Sequence, residues 1–232
     1  MQLLLLSSSR ANNSEYLAPY MPWLQTHLTG CTELLFIPYA GVTISYDAYV
    51  TQVATALAPL KVKVSGLHQY AKPQQAIKDA QAIAVGGGNT FKLLNELYQK
   101  DILQLIAERV TSGTPYIGWS AGANIAGSTI CTTNDMPIIA PPSFDGLKLL
   151  PLQLNPHYID MKAEGFHGEA RDMRLAEFMT LQPKSPIIAL PEGSALKRQG
   201  QQLTLLGRDG GYLFVGGDKT ALLPDTDLSA FI

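Results

Sequence analysis

The most informative segment of this chain is Gly118-Trp119-Ser120-Ala121-Gly122. An apolar run, residues 114–117, precedes it, and a run of small residues, 123–127, follows it. This order, in which a strand is followed by the motif G-x-S-x-G and then by a helix, is typical of a nucleophile elbow. A nucleophile elbow is a tight turn that projects a serine hydroxyl from a sheet. The glycines lack the Cβ atoms that would collide where strand passes into helix. The motif predicts that Ser120 lies at a sheet edge beside the amide of Ala121, where the start of a helix adds partial positive charge.

The composition is that of a globular protein. The chain has 232 residues, and 46% of them are hydrophobic, which is enough for a substantial core and argues against disorder. The formal net charge is −2, and no basic stripe or basic amphipathic helix indicates nucleic acid or a membrane surface as a partner. Since we find no linker and no internal repeat, we predict one domain over residues 1–232.

Neither the first residues nor the cysteines indicate export. Residues 1–6 are apolar, but they lack a charged n-region and are too short for a signal h-region, so they predict a buried first strand. No apolar run approaches the length of a transmembrane helix. Cys31 and Cys131 form neither a disulfide framework nor a C-x-x-C motif. A cytoplasmic location is the simplest expectation.

Strand-like and helix-like segments alternate through the first half of the chain. The apolar, strand-like segments are residues 3–6, 33–38, 61–67, 82–85 and 114–117. The segments with helical features are residues 15–28, 46–57, 72–80, 91–98 and 102–110. This alternation predicts an α/β fold, in which an open, mostly parallel sheet carries helices on both faces and forms three layers. Ligands bind such sheets beyond the carboxyl ends of the strands, where residues 39–41, residues 86–90 and Ser120 should meet.

The second half of the chain is less regular. Residues 128–146 have no clear pattern, and a loop of this length in a compact domain is usually functional or disordered; we consider a lid over the site as a hypothesis. Residues 147–154 predict a strand, 169–179 a helix, and 187–190 a strand that ends at Pro191-Glu192-Gly193. The tail, residues 195–215, alternates around glycines and predicts antiparallel hairpins.

A serine becomes a nucleophile near neutral pH only with a base beside it. His157 is the best candidate among four histidines, because it follows a predicted strand and Asn155-Pro156 and should lie beyond the end of that strand. His27 lies in a predicted helix, where we expect a structural or exposed side chain. His68 follows a strand and has no evident role, and His167 in a glycine-flanked loop is a weaker candidate for the site.

A third member should be a carboxylate that orients the histidine. Glu192 comes directly after an apolar strand, which places it at the same edge of the sheet. Asp135 lies in the long loop, where an Asx turn before Pro137 is the alternative interpretation. The position at a strand end favours Glu192, with Asp135 as the alternative.

The run Gly86-Gly87-Gly88-Asn89-Thr90 invites comparison with phosphate-binding loops. It is not a Walker A motif, and Phe91 stands near the position where a dinucleotide fingerprint needs glycine. Amides of Gly88 and Ala121 that donate to an oxyanion fit better, although a turn that serves packing alone remains an alternative. No histidine or cysteine pair has metal-ligand spacing, so we expect no metal.

Six segments, in order along the chain, resemble the S51 family of serine peptidases, which is related to the cyanophycinases. These segments are residues 36–42, 85–91, 117–124, 132–138, 154–157 and 190–193. The resemblance spans almost the whole chain, and the tail beyond Gly200 adds little to it. It implies a fold similar to that of the class I glutamine amidotransferases. It also implies hydrolysis, without a cofactor, of dipeptides whose first residue is aspartate.

The resemblance also implies roles for single residues. Ser120 would be the nucleophile, His157 the base and Glu192 the third member, and the amides of Gly88 and Ala121 would bind the oxyanion. Asp135 stays the alternative third member.

Substrate binding is implied in the same way. Arg171, in Gly168-Glu169-Ala170-Arg171, matches an arginine that binds the aspartate of the substrate, and Ala170 stands where threonine is expected. A planar guanidinium suits a carboxylate because it can donate two parallel hydrogen bonds. Asn89 and Thr90 complete the expected substrate-binding set.

The expected partner is therefore a small peptide with an N-terminal aspartate, and we expect a monomer or a homodimer that binds neither nucleic acid nor a membrane. Two alternatives share the elbow or the fold. One is a related acyl hydrolase or cyanophycinase-like peptidase with another substrate. The other is a non-catalytic protein that binds an anion at residues 86–90.

Overall fold

Two β-sheets form the framework of the molecule. The computed structural model describes residues 1–160 and 168–232. Its strands are β1 (Gln2–Leu6), β2 (Glu33–Ile37), β3 (Lys63–Gly66), β4 (Ile83–Val85), β5 (Tyr116–Trp119), β6 (Gln153–Pro156), β7 (Ile187–Leu190), β8 (Ala195–Gln199), β9 (Gln202–Leu206), β10 (Gly211–Val215) and β11 (Asp218–Leu222).

The larger sheet has the order β3-β2-β4-β5-β1-β8-β9. Its first five strands are parallel, while β8 and β9 pair in antiparallel fashion beyond β1. The smaller sheet has the order β11-β10-β7-β6, in which β6 and β7 are parallel and the other pairs antiparallel. The predicted α/β fold with a mostly parallel sheet and C-terminal hairpins is thus confirmed.

Helices connect the parallel strands. They are α1 (Met21–His27), α2 (Tyr46–Leu57), α3 (Pro73–Asp79), α4 (Thr90–Gln99), α5 (Leu103–Thr111), α6 (Ala121–Asn124) and α7 (Arg171–Leu181). Short 3-10 helices lie at Ala18–Tyr20, Ala58–Leu60, Leu67–Gln69 and Ser229–Phe231. The hydroxyl of Ser45 accepts a hydrogen bond from the amide of Ala48 and caps α2, which is a common way for a helix to begin.

The core lies on both faces of the larger sheet. Alternate side chains of a strand point to opposite faces. Leu3 and Leu5 of β1 therefore belong to one hydrophobic cluster with α4 and α5, and Leu4 and Leu6 to another with α1 and α2. These four leucines are fully buried. Helices thus cover both faces of the sheet, and the three predicted layers are present.

Two of the predicted elements were wrong in their extent. Residues 147–154 do not form one strand, because β6 covers only Gln153–Pro156. The apolar residues before it are buried as a loop against the elbow helix. There the amide of Leu147 donates to the carbonyl of Ile125, and that of Leu149 to Ala126. The helix expected over residues 15–28 is replaced by a 3-10 turn followed by α1.

Residues 128–146 contain neither helix nor strand, as the sequence predicts. Among the described residues, no helix is both long and apolar enough to cross a membrane.

Candidate active site

The elbow has the geometry that its sequence predicts. Ser120 directly follows β5 with φ 53° and ψ −115°, a backbone conformation that non-glycine residues rarely adopt and that costs free energy. A Cβ atom on Gly118 would lie 2.2 Å from the carbonyl oxygen of Gly122, and one on Gly122 would lie 2.1 Å from that of Val85. Both positions therefore require glycine, because strand and helix pass too closely for a side chain.

The helix after the serine is short. α6 covers only Ala121–Asn124, so its dipole is much smaller than that of a long helix, and the amide of Ala121 itself is the donor that matters. Among the described residues, this amide and that of Gly88 have no hydrogen-bond acceptor. That these two amides donate to an oxyanion stays a prediction.

The glycine loop after β4 lies beside the serine. A Cβ atom on Gly87 would lie 3.0 Å from the Cβ of Ser120. Gly88 has φ 136°, which favours glycine, and a Cβ there would lie 2.2 Å from the carbonyl oxygen of Ala40. Tyr49, which the sequence analysis missed, donates from its hydroxyl to the carbonyl of Gly87 at 3.0 Å. The loop is thereby fixed next to the elbow.

The predicted base and its carboxylate come from the smaller sheet. His157 follows β6 directly, and Glu192 lies just beyond β7, the strand that pairs with β6 so that Pro156 faces Leu190. Nδ1 of His157 lies 2.7 Å from Oε1 of Glu192. Both side chains are partly exposed, at 39% and 48% of their surface. His157 has φ 53°, a second strained backbone at this site.

Ser7 joins the two sheets at this point. It follows β1, is fully buried, and its hydroxyl accepts from the amide of His157 at 2.9 Å and donates to the carbonyl of Leu190 at 2.7 Å. In the preceding position, the carbonyl of Leu6 accepts from the amide of Ser120 at 3.1 Å. The last residue of β1 and the residue after it therefore hold both the nucleophile and the base. Sequence reasoning missed Ser7, since its only signal is a hydroxyl directly after an apolar strand.

Ser120, Ala121, Thr90, Asp135 and His157 line one small cleft. Among the described residues, the hydroxyl of Ser120 makes no hydrogen bond. The structure therefore brings the predicted nucleophile, base and oxyanion donor together.

Asp135 makes different contacts from Glu192. Its carboxylate accepts from the amide of Thr90 at 2.7 Å and from the hydroxyl of Thr90 at 2.6 Å, at the start of α4. Asn89 caps the same helix by accepting from the amide of Lys92 at 3.0 Å. The polar atoms of Asn89 and Thr90 thus make structural contacts at this junction, and their contact with substrate stays a prediction.

The first part of the long loop is fixed to β6. Asn155 donates to the carbonyl of Thr132 at 2.7 Å, and Asn134 donates to the carbonyl of Pro156 at 2.8 Å. Beyond it, Met136 is 75% exposed and Ile138 55% exposed. The carbonyl of Met136 still accepts from Asn89 at 2.8 Å, and that of Phe144 accepts from the amide of Ile130 at 2.9 Å. The hypothesis of a lid is therefore restricted to residues 137–143 and stays a prediction.

Arg171 is the first residue of α7 and is partly buried. Burial and the neighbouring Arg174 lower the pKa of Arg171, while the carboxylate of Asp135 acts in the opposite direction. Among the described residues, its guanidinium makes no hydrogen bond or ion pair with a residue of the cleft, so its contact with substrate stays a prediction. Arg174 instead pairs with Glu169 at 3.5 Å on an exposed surface.

His27 and His68 do not join the site. His27 is buried, its Nε2 lies 3.1 Å from the carbonyl oxygen of Tyr116, and burial lowers the pKa of His27 to about 4. His68 pairs with Asp47 at 2.9 Å. His167 lies outside the described residues. Within residues 1–160 and 168–232, no group of His, Cys, Asp or Glu could hold a metal ion.

Comparison with known proteins places this chain among peptidases. The model of Peptidase family S51 matches residues 3–206. Two similar relatives are proteins named Peptidase E. One, from Shewanella sp. (strain W3-18-1), is 53% identical to this chain, and the alignment covers 97% of this chain and 96% of the relative's sequence. The other, from Shewanella oneidensis, is 52% identical with the same coverage.

A solved structure supports the fold. The crystal structure of a peptidase from an acI-B1 Actinobacterium superposes with a TM-score of 0.75 and covers 98% of this chain and 96% of its own. At 20% sequence identity, this likeness concerns the fold alone.

Proposed function

The chain belongs to peptidase family S51, and we propose that it is a serine-type dipeptidase that hydrolyses dipeptides with an N-terminal aspartate through an acyl-enzyme on Ser120. The observation that carries this proposal is one cleft shared by a strained serine and a histidine that is hydrogen-bonded to a glutamate. A nucleophile, a base and a carboxylate that orients the base are the components of serine acyl transfer.

His157 acts as the base through Nε2. Its Nδ1 is engaged by Glu192, which leaves Nε2 as the ring nitrogen for the proton of the Ser120 hydroxyl. As the serine oxygen attacks the carbonyl carbon of the aspartyl residue, the proton passes to His157. Glu192 stabilises the resulting imidazolium.

The negative charge on the carbonyl oxygen is stabilised by the amides of Gly88 and Ala121. His157 then returns its proton to the leaving amine, and the C-terminal amino acid departs. A water molecule, deprotonated by His157, attacks the acyl-enzyme, and free aspartate leaves as Ser120 regains its proton.

Recognition of the aspartate side chain is assigned to Arg171. A guanidinium can donate two parallel hydrogen bonds to a carboxylate, which fixes orientation as well as charge. Partial burial of Arg171 strengthens this interaction, because the competing water is reduced.

The test is the release of leucine from Asp-Leu, compared with Glu-Leu, Ala-Leu and N-acetyl-Asp-Leu, by the wild type and by Ser120→Ala. We expect cleavage of Asp-Leu alone, reduced about 10⁴-fold or more in Ser120→Ala. Full turnover by Ser120→Ala would exclude the acyl-enzyme. Failure of the wild type to cleave any of these peptides would indicate another acyl substrate, or an anion-binding protein without catalysis.

A second variant tests the substrate class. Arg171→Ala should lower kcat/KM for Asp-Leu far more than for p-nitrophenyl acetate, since the neutral ester offers no carboxylate to the arginine. Equal losses on both substrates would contradict the assigned role of Arg171.

A further inference from the structure

A lysine of β11 contacts both of the segments that carry the proposed base and the proposed substrate-binding arginine. Nζ of Lys219 lies 2.7 Å from Oδ1 of Asp160 and 2.9 Å from Oδ2 of Asp172. Asp160 belongs to the segment that begins with His157 after β6, and Asp172 directly follows Arg171 in α7. This one ammonium group therefore joins the segment after β6 to the first turn of α7.

Aromatic side chains surround the same ammonium group. Nζ lies 4.5 Å from the ring centre of Tyr212, 5.4 Å from that of Tyr158 and 5.8 Å from that of Phe214. The hydroxyl of Tyr158, the neighbour of His157, also donates a hydrogen bond to Asp172. Ion pairs on open surfaces contribute little, but this network has several partners and cation–π contacts that fix its geometry.

Lys219 stays charged in this setting. Burial lowers the pKa of Lys219, but its hydrogen bonds with Asp160, Tyr158 and Asp172 outweigh that effect and hold the pKa above its ordinary value. Only 27% of its side chain is exposed.

Among the described residues, the start of α7 has few contacts besides those that Lys219 and the hydroxyl of Tyr158 make with Asp172. Its N-cap residue, Ala170, offers no side-chain hydrogen bond, and the buried residues of the helix, Leu175 and Met179, lie in its later turns. Successive residues of a helix are about 100° apart around its axis. Because Lys219 holds Asp172, it also sets the direction in which Arg171 projects.

We propose that Lys219 is a positioning residue that holds Arg171 in place for the carboxylate of the substrate. This inference rests on the proposed function. Lys219 touches neither the substrate nor the reacting atoms, so its loss should weaken substrate binding and leave the chemistry of Ser120 and His157 intact.

The experiment measures kcat and KM for Asp-Leu, and kcat/KM for p-nitrophenyl acetate, in Lys219→Met, Lys219→Arg and Arg171→Ala. Methionine keeps an unbranched stem against the aromatic rings and removes the ammonium group, with its charge and its hydrogen bonds to Asp160 and Asp172. The matched control is Lys148→Met, which removes the same charge from the exposed ion pair with Asp145.

We expect Lys219→Met to raise KM for Asp-Leu about tenfold with kcat within about twofold of wild type, because misplacement of a binding group acts on substrate affinity. Lys219→Arg should keep most of the wild-type affinity for Asp-Leu. Hydrolysis of the ester, and both activities of Lys148→Met, should stay at the wild-type level. If Lys219→Met does not fold, Asp160→Asn, which removes one partner and leaves Asp172 paired, should raise KM about threefold.

Three outcomes would overturn the inference. In the first, Arg171→Ala raises KM while Lys219→Met and Asp160→Asn do not, which leaves the proposed function intact. In the second, Lys219→Met lowers ester hydrolysis as much as dipeptide hydrolysis, which indicates general damage to the fold. In the third, Arg171→Ala itself leaves KM unchanged, which contradicts both the binding of the substrate aspartate by Arg171 and the role of Lys219.

Discussion

Replacing Glu192 tests which carboxylate serves His157. In Glu192→Ala, the imidazolium that forms during attack loses a carboxylate whose oxygen lies 2.7 Å from its ring nitrogen. Two unit charges about 4 Å apart attract by about 1 kcal/mol in water and about 4 kcal/mol near a protein surface. Since 48% of the Glu192 side chain is exposed, we expect an intermediate loss of about 2–3 kcal/mol, which lowers kcat roughly 30- to 150-fold.

The matched variant is Asp135→Asn, which removes the charge of the other candidate for the carboxylate that orients His157. Asp135 accepts two hydrogen bonds from Thr90 and none from His157. Its replacement should therefore cost about 1–2 kcal/mol of stability at the start of α4, while kcat changes less than about fivefold.

The assay is leucine release from Asp-Leu at saturating concentration, so that changes in substrate affinity near Arg171 do not enter kcat. Urea unfolding of both variants gives the free energy of unfolding. A large loss of kcat in Asp135→Asn, together with near-normal kcat in Glu192→Ala, would refute the assignment of Glu192 and return Asp135 to the third position.

Three further predictions concern the elbow, the junction of the sheets and a buried histidine. Gly122→Ala places a Cβ atom 2.1 Å from the carbonyl oxygen of Val85, so we expect the free energy of unfolding to fall by about 3 kcal/mol or more; calorimetry should show this, and an unchanged Tm would contradict the steric argument. Ser7→Ala removes the acceptor for the amide of His157 and should lower kcat about tenfold with KM unchanged, because it removes about 1–3 kcal/mol of hydrogen bonding from the base and not from the substrate site. Steady-state kinetics with Ser7→Cys as a weaker acceptor tests this, and a change in KM alone would count against it. The folded-state pKa of His27, about 4, lies below the unfolded value of 6.5, so the stability linked to neutral His27 is present above pH 6.5 and is lost as pH falls towards 4, by roughly 2–3 kcal/mol at pH 4.5. Urea unfolding at pH 7 and pH 4.5 should show a smaller difference for His27→Leu than for the wild type, and equal differences would exclude His27 as the source.

The elbow was predictable because its determinants are local. A strand, two glycines that flank a serine and a run of small residues occur within one short segment, and each has a steric reason to be there. The positions of His157 and Glu192 were also predictable in part. Each follows an apolar strand, and parallel neighbours end at the same edge of a sheet. The strands that precede His157 and Glu192, β6 and β7, lie in the smaller sheet and not beside β5. The alternation of apolar residues in the sequence does not show to which sheet a strand belongs.

The strand expected over residues 147–154 shows where periodicity fails. Leu147, Leu149, Leu150 and Leu152 are buried, as residues of an inner strand would be. They are buried in a loop whose amides donate to carbonyls of residues 125–128, which directly follow the elbow helix. Burial alone does not distinguish a strand from a loop that crosses the core.

The contacts that position the proposed machinery come from distant parts of the chain, and this is why sequence reasoning could not find them. Ser7 near the start holds His157, and Lys219 near the end holds the first turn of α7. A single hydroxyl or ammonium group has no periodicity, and the segments that carry the family resemblance end at residue 193. Replacing these two residues should also change different kinetic constants. Loss of Ser7 acts on the base and hence on kcat, whereas loss of Lys219 acts on Arg171 and hence on KM. In the double variant Ser7→Ala, Lys219→Met, the two effects should therefore add as free energies, because the residues share no partner; a combined loss well below the sum would mean that both act through one displacement of the segment after β6.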